Sequence, residues 1–235
     1  MTRLSFTRVV AFATVIAATL SRHALAQGEV SGQVSLLEPK TNAKHDVASA
    51  VVYLEPVSKK GARYDRPSGE LASASIAMRN REYVPHVQIV RAGGSVEFPN
   101  DDPFSHNVFS NTSLGAFDLG LYRRGQTRAA TFPKAGVYAV YCNIHSAMVS
   151  FVIVVPTKDF ARVAADGKFS ISAVPAGSYL LHVWHERTPE IVEQIDVPAS
   201  GLRTIAVTLD TRGYPTMAHL NKFGQPYAPT RADRY

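Results

Sequence analysis

Residues 128–155 read RAATFPKAGVYAVYCNIHSAMVSFVIVV, and the fold is decided on them. An apolar and β-branched run up to Phe132 meets Pro-Lys-Ala-Gly at 133–136, a turn, and a second apolar run follows from Val137 to Cys142. SFVIVV at 150–155 is a third strand, rich in β-branched residues. Side chains alternate along a strand, so Tyr138, Val140 and Cys142 share one face. If that face is the core, the only cysteine of the chain sits at its inner end, where the chain leaves the strand for NIHSAM.

Outward from this stretch the pattern repeats. HVQIVRAGGSVEF (86–98) has a Gly-Gly turn between apolar runs. EVSGQVSLLEP (29–39), ASAVVYLEPV (48–57), GKFSISAVPAGSYLLHVWHE (167–186) and LRTIAVTL (202–209) are short strands set apart by Gly and Pro. Helical periodicity is almost absent. Strands and turns at this density predict an all-β protein built from sandwiches. The last stretch, TRGYPTMAHLNKFGQPYAPTRADRY (211–235), has no period and is expected to be a flexible tail.

The chain opens with two arginines, an apolar run from Val9 to Leu20 and then Ala24-Leu25-Ala26, the order of a secretory signal peptide cleaved before Gln27. The run is short for a membrane span and no later segment matches it, so no span is expected in the mature chain. Composition, 46% hydrophobic and 19% charged, is that of a globular protein. Loss of Arg3, Arg8 and Arg22 with residues 1–26 would take the formal charge from +6 to +3. That balance, without a basic run, excludes nucleic acid as a partner. In an oxidising compartment one cysteine cannot form an internal disulfide, and a free thiol there must be buried or metal-bound to survive.

Cys142 precedes His145 by three positions and Met148 by six. Thiolate, imidazole and thioether are soft or borderline metal ligands. PNDDPFSHNVFS (99–110) offers a second imidazole, His106, at the start of a short apolar strand. Two His and one Cys with a weak axial Met form the ligand set of a blue-copper electron-transfer site.

On these residues the stretch from Ala77 to Val155 resembles the small cupredoxins, the amicyanin type most closely. His106-Asn107-Val108 matches the tripeptide that carries the first ligand, and Cys142, His145 and Met148 match a C-x2-H-x2-M loop. The loop is short, as in amicyanins; plastocyanins have a longer one. The resemblance implies one type 1 copper bound by His106, Cys142, His145 and Met148, with Asn107 bracing the ligand loop through hydrogen bonds. It implies a one-electron carrier in the periplasm, served by partners such as a dehydrogenase or a c-type cytochrome. One departure is plain: amicyanin-type loops carry prolines, and Asn143-Ile144 and Ser146-Ala147 have none.

The flanks carry a second resemblance, to carboxypeptidase-regulatory-like (transthyretin-type) β-sandwiches. Residues 27–57 resemble the first half and 158–210 the second, with the turns at Asp166-Gly167 and Val174-Pro175. Each half is short for a core of its own. The expected organisation is therefore a signal peptide (1–26), a discontinuous sandwich (27–57 plus 158–210), a cupredoxin Greek-key sandwich (73–156) inserted into or packed on it, and a tail (211–235). The alternative is two small separate β units packed on the cupredoxin.

An enzyme is not expected. Multicopper enzymes need further histidines in H-x-H pairs, and none occurs; nor is there a phosphate loop or an H-E-x-x-H element. A copper carrier or store that delivers the ion is the alternative function. His86 is expected at a sheet edge, away from the metal, and Trp184-His185-Glu186, with His182 two residues before Trp184, reads as an exposed surface patch of unassigned role, a second metal site being the alternative.

Overall fold

The computed structural model describes residues 27–38, 47–57, 74–213 and 219–227. The expected signal peptide lies outside them. Among the described residues no helix is long and apolar enough to cross a membrane.

The protein is all-β, with one sandwich interrupted by another. Strands β1 (Gln27–Leu37) and β2 (Val51–Pro56) come first. The interrupting unit follows: β3 (Ala74–Ser75), β4 (Ala77–Arg79), β5 (Glu82–Val84), β6 (Val87–Arg91), β7 (Gly94–Pro99), β8 (His106–Ser110), β9 (Phe117–Tyr122), β10 (Thr127–Phe132), β11 (Gly136–Tyr141) and β12 (Val149–Val155). The chain then returns through β13 (Phe160–Arg162), β14 (Lys168–Pro175), β15 (Gly177–Trp184), β16 (Ile191–Val197) and β17 (Leu202–Asp210).

Neither early strand pairs with the other. β1 lies between β14 and β17, and β2 between β13 and β15. The two sheets, β14-β1-β17 and β13-β2-β15-β16, enclose a core that includes Val30, Val34, Val52, Leu54, Phe169, Leu181 and Leu209. In β14, Phe169 and Ile171 alternate inward until Ala173, at φ 58°, breaks the period and brings Val174 in as well. Gly32 sits where β1 is tightest: a Cβ there would strike the carbonyl of Ile205 and the ring of Phe169. A strand glycine at such a close approach is there for space.

In the inserted unit the sheet β6-β12-β11-β8-β9 faces β10-β7-β3. Its core holds Val96, Phe98, Val108, Phe132, Tyr138 and Val140, with Cys142 and Met148 at one end. The unbroken apolar run of β12 has a physical reason. Val152 and Val154 face this core, while Ile153 and Val155 face a third cluster with Val51, Val87 and Trp184 that joins the two sandwiches. A strand buried on both faces need not alternate.

That joint corrects the reading of 184–186. Trp184 and His185 are buried, not exposed, and Trp184 packs against Phe151 with ring centroids 5.4 Å apart. Glu186 pairs across the joint with His86, Oε1 to Nε2 at 3.0 Å, and His86 Nδ1 lies 3.2 Å from the carbonyl of Val149. The bond to Glu186 raises the His86 pKa against the opposing effect of burial. Burial pushes Glu186 up, but His86, His185 and Arg187 bring it below its ordinary value.

The pair should therefore give the joint a pH dependence. A raised imidazole contributes stability that is complete below its unfolded pKa, about 6.5, and is lost as pH climbs through the higher folded value. A lowered carboxylate contributes above its unfolded pKa, about 4.3, and loses that as pH falls through the folded value. The contribution is greatest between those limits. Since His86 is about a third exposed, it is worth no more than about 1 kcal/mol. Glu186→Gln should lower Tm near pH 5.5 and leave it unchanged near pH 9. Equal losses at both pH values would remove the pair from the account.

Candidate metal centre

Two strand ends build the site. The register pairs Tyr141 of β11 with Phe109 of β8, which sets Cys142 beside the start of β8, where His106 stands. The loop after Cys142 closes on itself: Cys142 N donates to the carbonyl of Met148 (3.2 Å), and Met148 N to that of His145 (3.1 Å). His145 is thereby folded back over the thiol without help from proline.

One ligating atom each from His106, Cys142 and His145 lies within 4.8 Å of the other two. Sγ is 4.0 Å from His106 Nδ1 and 3.8 Å from His145 Nδ1. Metal bonds of about 2.0–2.3 Å meeting at trigonal angles would put their donors about 3.5–4 Å apart, so the three fit one ion of that class. His106 and Cys142 are fully buried and His145 is partly exposed. Met148 is fully buried in the same core cluster as Cys142.

The electrostatics favour a thiolate. Burial raises the Cys142 pKa, but the ring of His106 and the amides of Asn107, Ile144 and His145 together bring it below the ordinary thiol value. Burial and the neighbouring His106 ring lower the pKa of His145, which favours the neutral imidazole that a metal requires.

Asp102 adjoins the cluster, and the sequence reading missed it. Its Oδ2 lies 2.8 Å from His106 Nε2. With the Nε2 proton donated there, Nδ1 carries no hydrogen and its lone pair is free to ligate beside Sγ. The carboxylate is held in turn by the amides of Asn80 (2.6 Å) and Arg81 (2.8 Å). Those two residues have φ of 54° and 60°, the paired left-handed conformation of a type I′ hairpin between β4 and β5. Burial raises the Asp102 pKa, yet these amides and His106 bring it below the usual carboxylate value. Asn100 completes the loop: its Nδ2 donates to the carbonyls of Phe104 and Tyr122, and its Oδ1 accepts the Asp102 amide.

Asn107 lies beside the cluster, and its side chain points elsewhere than the loop. Nδ2 donates to Asp118 Oδ1 (2.7 Å), the backbone carbonyl accepts the Tyr83 hydroxyl (2.8 Å), and Oδ1 finds no partner among the described residues. Exposed apolar side chains lie on the two loops that carry the cluster: Ile144 (44% exposed) and Ala147 beside His145, and Phe104 (46% exposed) two residues before His106, with the guanidinium of Arg81 over its ring.

No family model and no curated protein matches the chain. Solved structures do. A purple cupredoxin from Nitrosopumilus maritimus is 26% identical over 35% of this chain and 99% of its own, with a TM-score of 0.32. Amicyanin from Paracoccus versutus is 25% identical over 44% of this chain and 98% of its own, with a TM-score of 0.34. The inserted sandwich is cupredoxin-like. That statement rests on its facing sheets and the His-Cys-His cluster at their end. At such scores the chemistry has to be read from the site itself.

Proposed function

We propose that the chain is an exported, periplasmic protein that binds one type 1 copper and carries one electron at a time between redox proteins, without an enzymatic activity of its own. His106, Cys142 and His145 would hold the ion, with Met148 as a further, weaker ligand and Asn107 beside the thiolate. The observation that carries the reading is the convergence of a thiol and two imidazoles at mutual distances that suit one ion, two of the three fully buried. Copper would supply the Cu(II)/Cu(I) couple. The chain's own part is to keep the donors in one geometry for both oxidation states, which Asp102 does for His106 and the closed loop does for His145. His145 is the ligand with an exposed edge, and Ile144, Ala147 and Phe104 lie on the two ligand loops. A small apolar surface suits brief docking with a partner such as a dehydrogenase or a cytochrome. The same sheltered placement favours carrying electrons over delivering copper, since an ion held behind two buried ligands exchanges slowly. In the same reading, 27–57 and 158–210 form one accessory sandwich that orients the copper domain of 73–156.

Visible and EPR spectra after addition of Cu(II), followed by reduction and reoxidation over a mild chelator, test the reading. Intense thiolate absorption and repeated one-electron cycling with the copper retained are expected. Met148→Leu should keep the colour and raise the potential, because a donor to Cu(II) is lost. Binding without colour would end the type 1 assignment. Ready loss of Cu(I) with sluggish cycling would make the protein a copper carrier.

A further inference from the structure

Residues 219–227 contain no strand or helix, yet they are not a free end. They form a closed loop built on Asn221, whose Oδ1 accepts the amides of Phe223 (2.9 Å) and Gln225 (3.1 Å). Asn221 N donates to the carbonyl of Gln225, and Gly224 N to that of Asn221, both at 2.9 Å. Tyr227 Oη and His219 Nδ1 meet at 3.2 Å and join the two ends.

This loop is fastened to the ligand-bearing segments. Tyr227 Oη donates to the carbonyl of Cys142 at 2.7 Å. Lys222 N donates to Asn143 Oδ1 at 3.0 Å. His219 stacks on Tyr141, the residue before the cysteine, with centroids 4.1 Å apart and planes at 25°. Lys222 Nζ pairs with Asp118 Oδ2 at 2.7 Å, and the other oxygen of Asp118 takes the Asn107 amide. The residues flanking both Cys142 and His106 are thus tied to one C-terminal segment. Ordering such a segment costs conformational entropy, and it stays in place through directed contacts like these.

We infer that Tyr227, Lys222 and His219 are positioning residues for the metal centre, holding the Cys142 carbonyl and the Asn143 side chain so that the ligand loop keeps its shape when the ion changes state or leaves. The inference rests on the copper reading above. Its physical content is simple. Residue 143 is held at the carbonyl that precedes it and at its own side chain, and the next two amides, those of Ile144 and His145, hydrogen-bond the sulfur. If the peptide were free to turn, those amides would swing away from the sulfur. The hydrogen bonds to Tyr227 and Lys222 prevent it without prolines in the loop.

The test compares the full chain with a Tyr227→Phe, Asn221→Ala double variant, which removes the bonds of the Tyr227 hydroxyl to the Cys142 carbonyl and to His219 and dissolves the loop that presents the others. Loss of two or three hydrogen bonds should speed copper release to a chelator about tenfold, with a shift of the thiolate band and the EPR copper hyperfine splitting. The Tm of the metal-free protein should stay nearly unchanged, because neither residue lies in a core cluster. In the metal-free protein the amides of Ile144 and His145 should exchange with solvent about tenfold faster. Release, spectra and exchange equal to those of the unaltered chain would overturn the inference. If the unaltered chain gave no thiolate band, the copper reading would fall. Exchange in the metal-free protein would then decide alone: faster supports the positioning role, equal removes it.

Discussion

On the copper reading, Cys142→Ser is expected to abolish the intense visible absorption while leaving the protein folded. The intense visible absorption of a Cu(II)–thiolate needs the Cu–S bond, and a serine hydroxyl is neither soft nor ionised near neutral pH. Three amides, those of Asn107, Ile144 and His145, favour negative charge on the sulfur, and a hydroxyl oxygen can accept from the same donors. Burying the new hydroxyl therefore costs at most about 1–2 kcal/mol, well short of unfolding a domain. Two imidazoles remain, so Cu(II) can still bind weakly and give a pale spectrum. Titration with Cu(II), followed by absorption and EPR, checks the first part, and thermal unfolding of the metal-free variant checks the second. An intense band that survives in the serine variant would show that Cys142 is not the ligand, whatever its distance from His106 and His145.

The parts of this centre that could be read in the sequence are those whose chemistry is local. Cys142, His145 and Met148 share one loop, and a thiol, an imidazole and a thioether at that spacing have few other reasons to coincide. His106 was legible as the second imidazole such a ligand set needs, at the start of a short apolar strand, and its tripeptide also resembles a known ligand pattern. Asp102 was not, because an Asp in a Pro-rich loop looks like a turn former. Its role depends on amides contributed by Asn80 and Arg81 from a different hairpin. Trp184 was misread for a similar reason. At the end of a strand and beside His and Glu it looks exposed, and only the docking of one sandwich on the other covers it. The segment 219–227 lacks the apolar period that signals packing, because side chain–backbone bonds and one stacked ring hold it. Contacts of that kind leave no periodic trace.

A chain lacking residues 27–57 is expected to lose the second half of the interrupted sandwich entirely. β1 is the middle strand of its sheet, antiparallel to β14 from Gln27↔Pro175 to Gln33↔Lys168 and parallel to β17 from Glu29↔Leu202 to Leu37↔Asp210. Its removal strips the ladder partners from both neighbours at once. β2 is equally interior, between β13 and β15. Val30, Val34, Val52 and Leu54, all but wholly buried, go with them. At about 1.5–3 kcal/mol for each buried side chain the loss is about 6–12 kcal/mol, as large as the whole stability of an ordinary domain. What remains, Phe169, Ile171, Leu181 and Leu209 among them, would face solvent on strands with free edges. Residues 158–210 should therefore become the first target of limited proteolysis. The core of 74–155 contains no residue from the deleted segment, so that part should resist cleavage and, on the copper reading, give the same thiolate absorption with Cu(II). Its solubility should fall, because Val87, Ile153 and Val155 lose Val51 and the ordered Trp184 that cover them. Mass analysis of the fragments gives the answer. Residues 158–210 as resistant as before would mean that this half folds by itself, and the joined sandwich would then be a packing of two units.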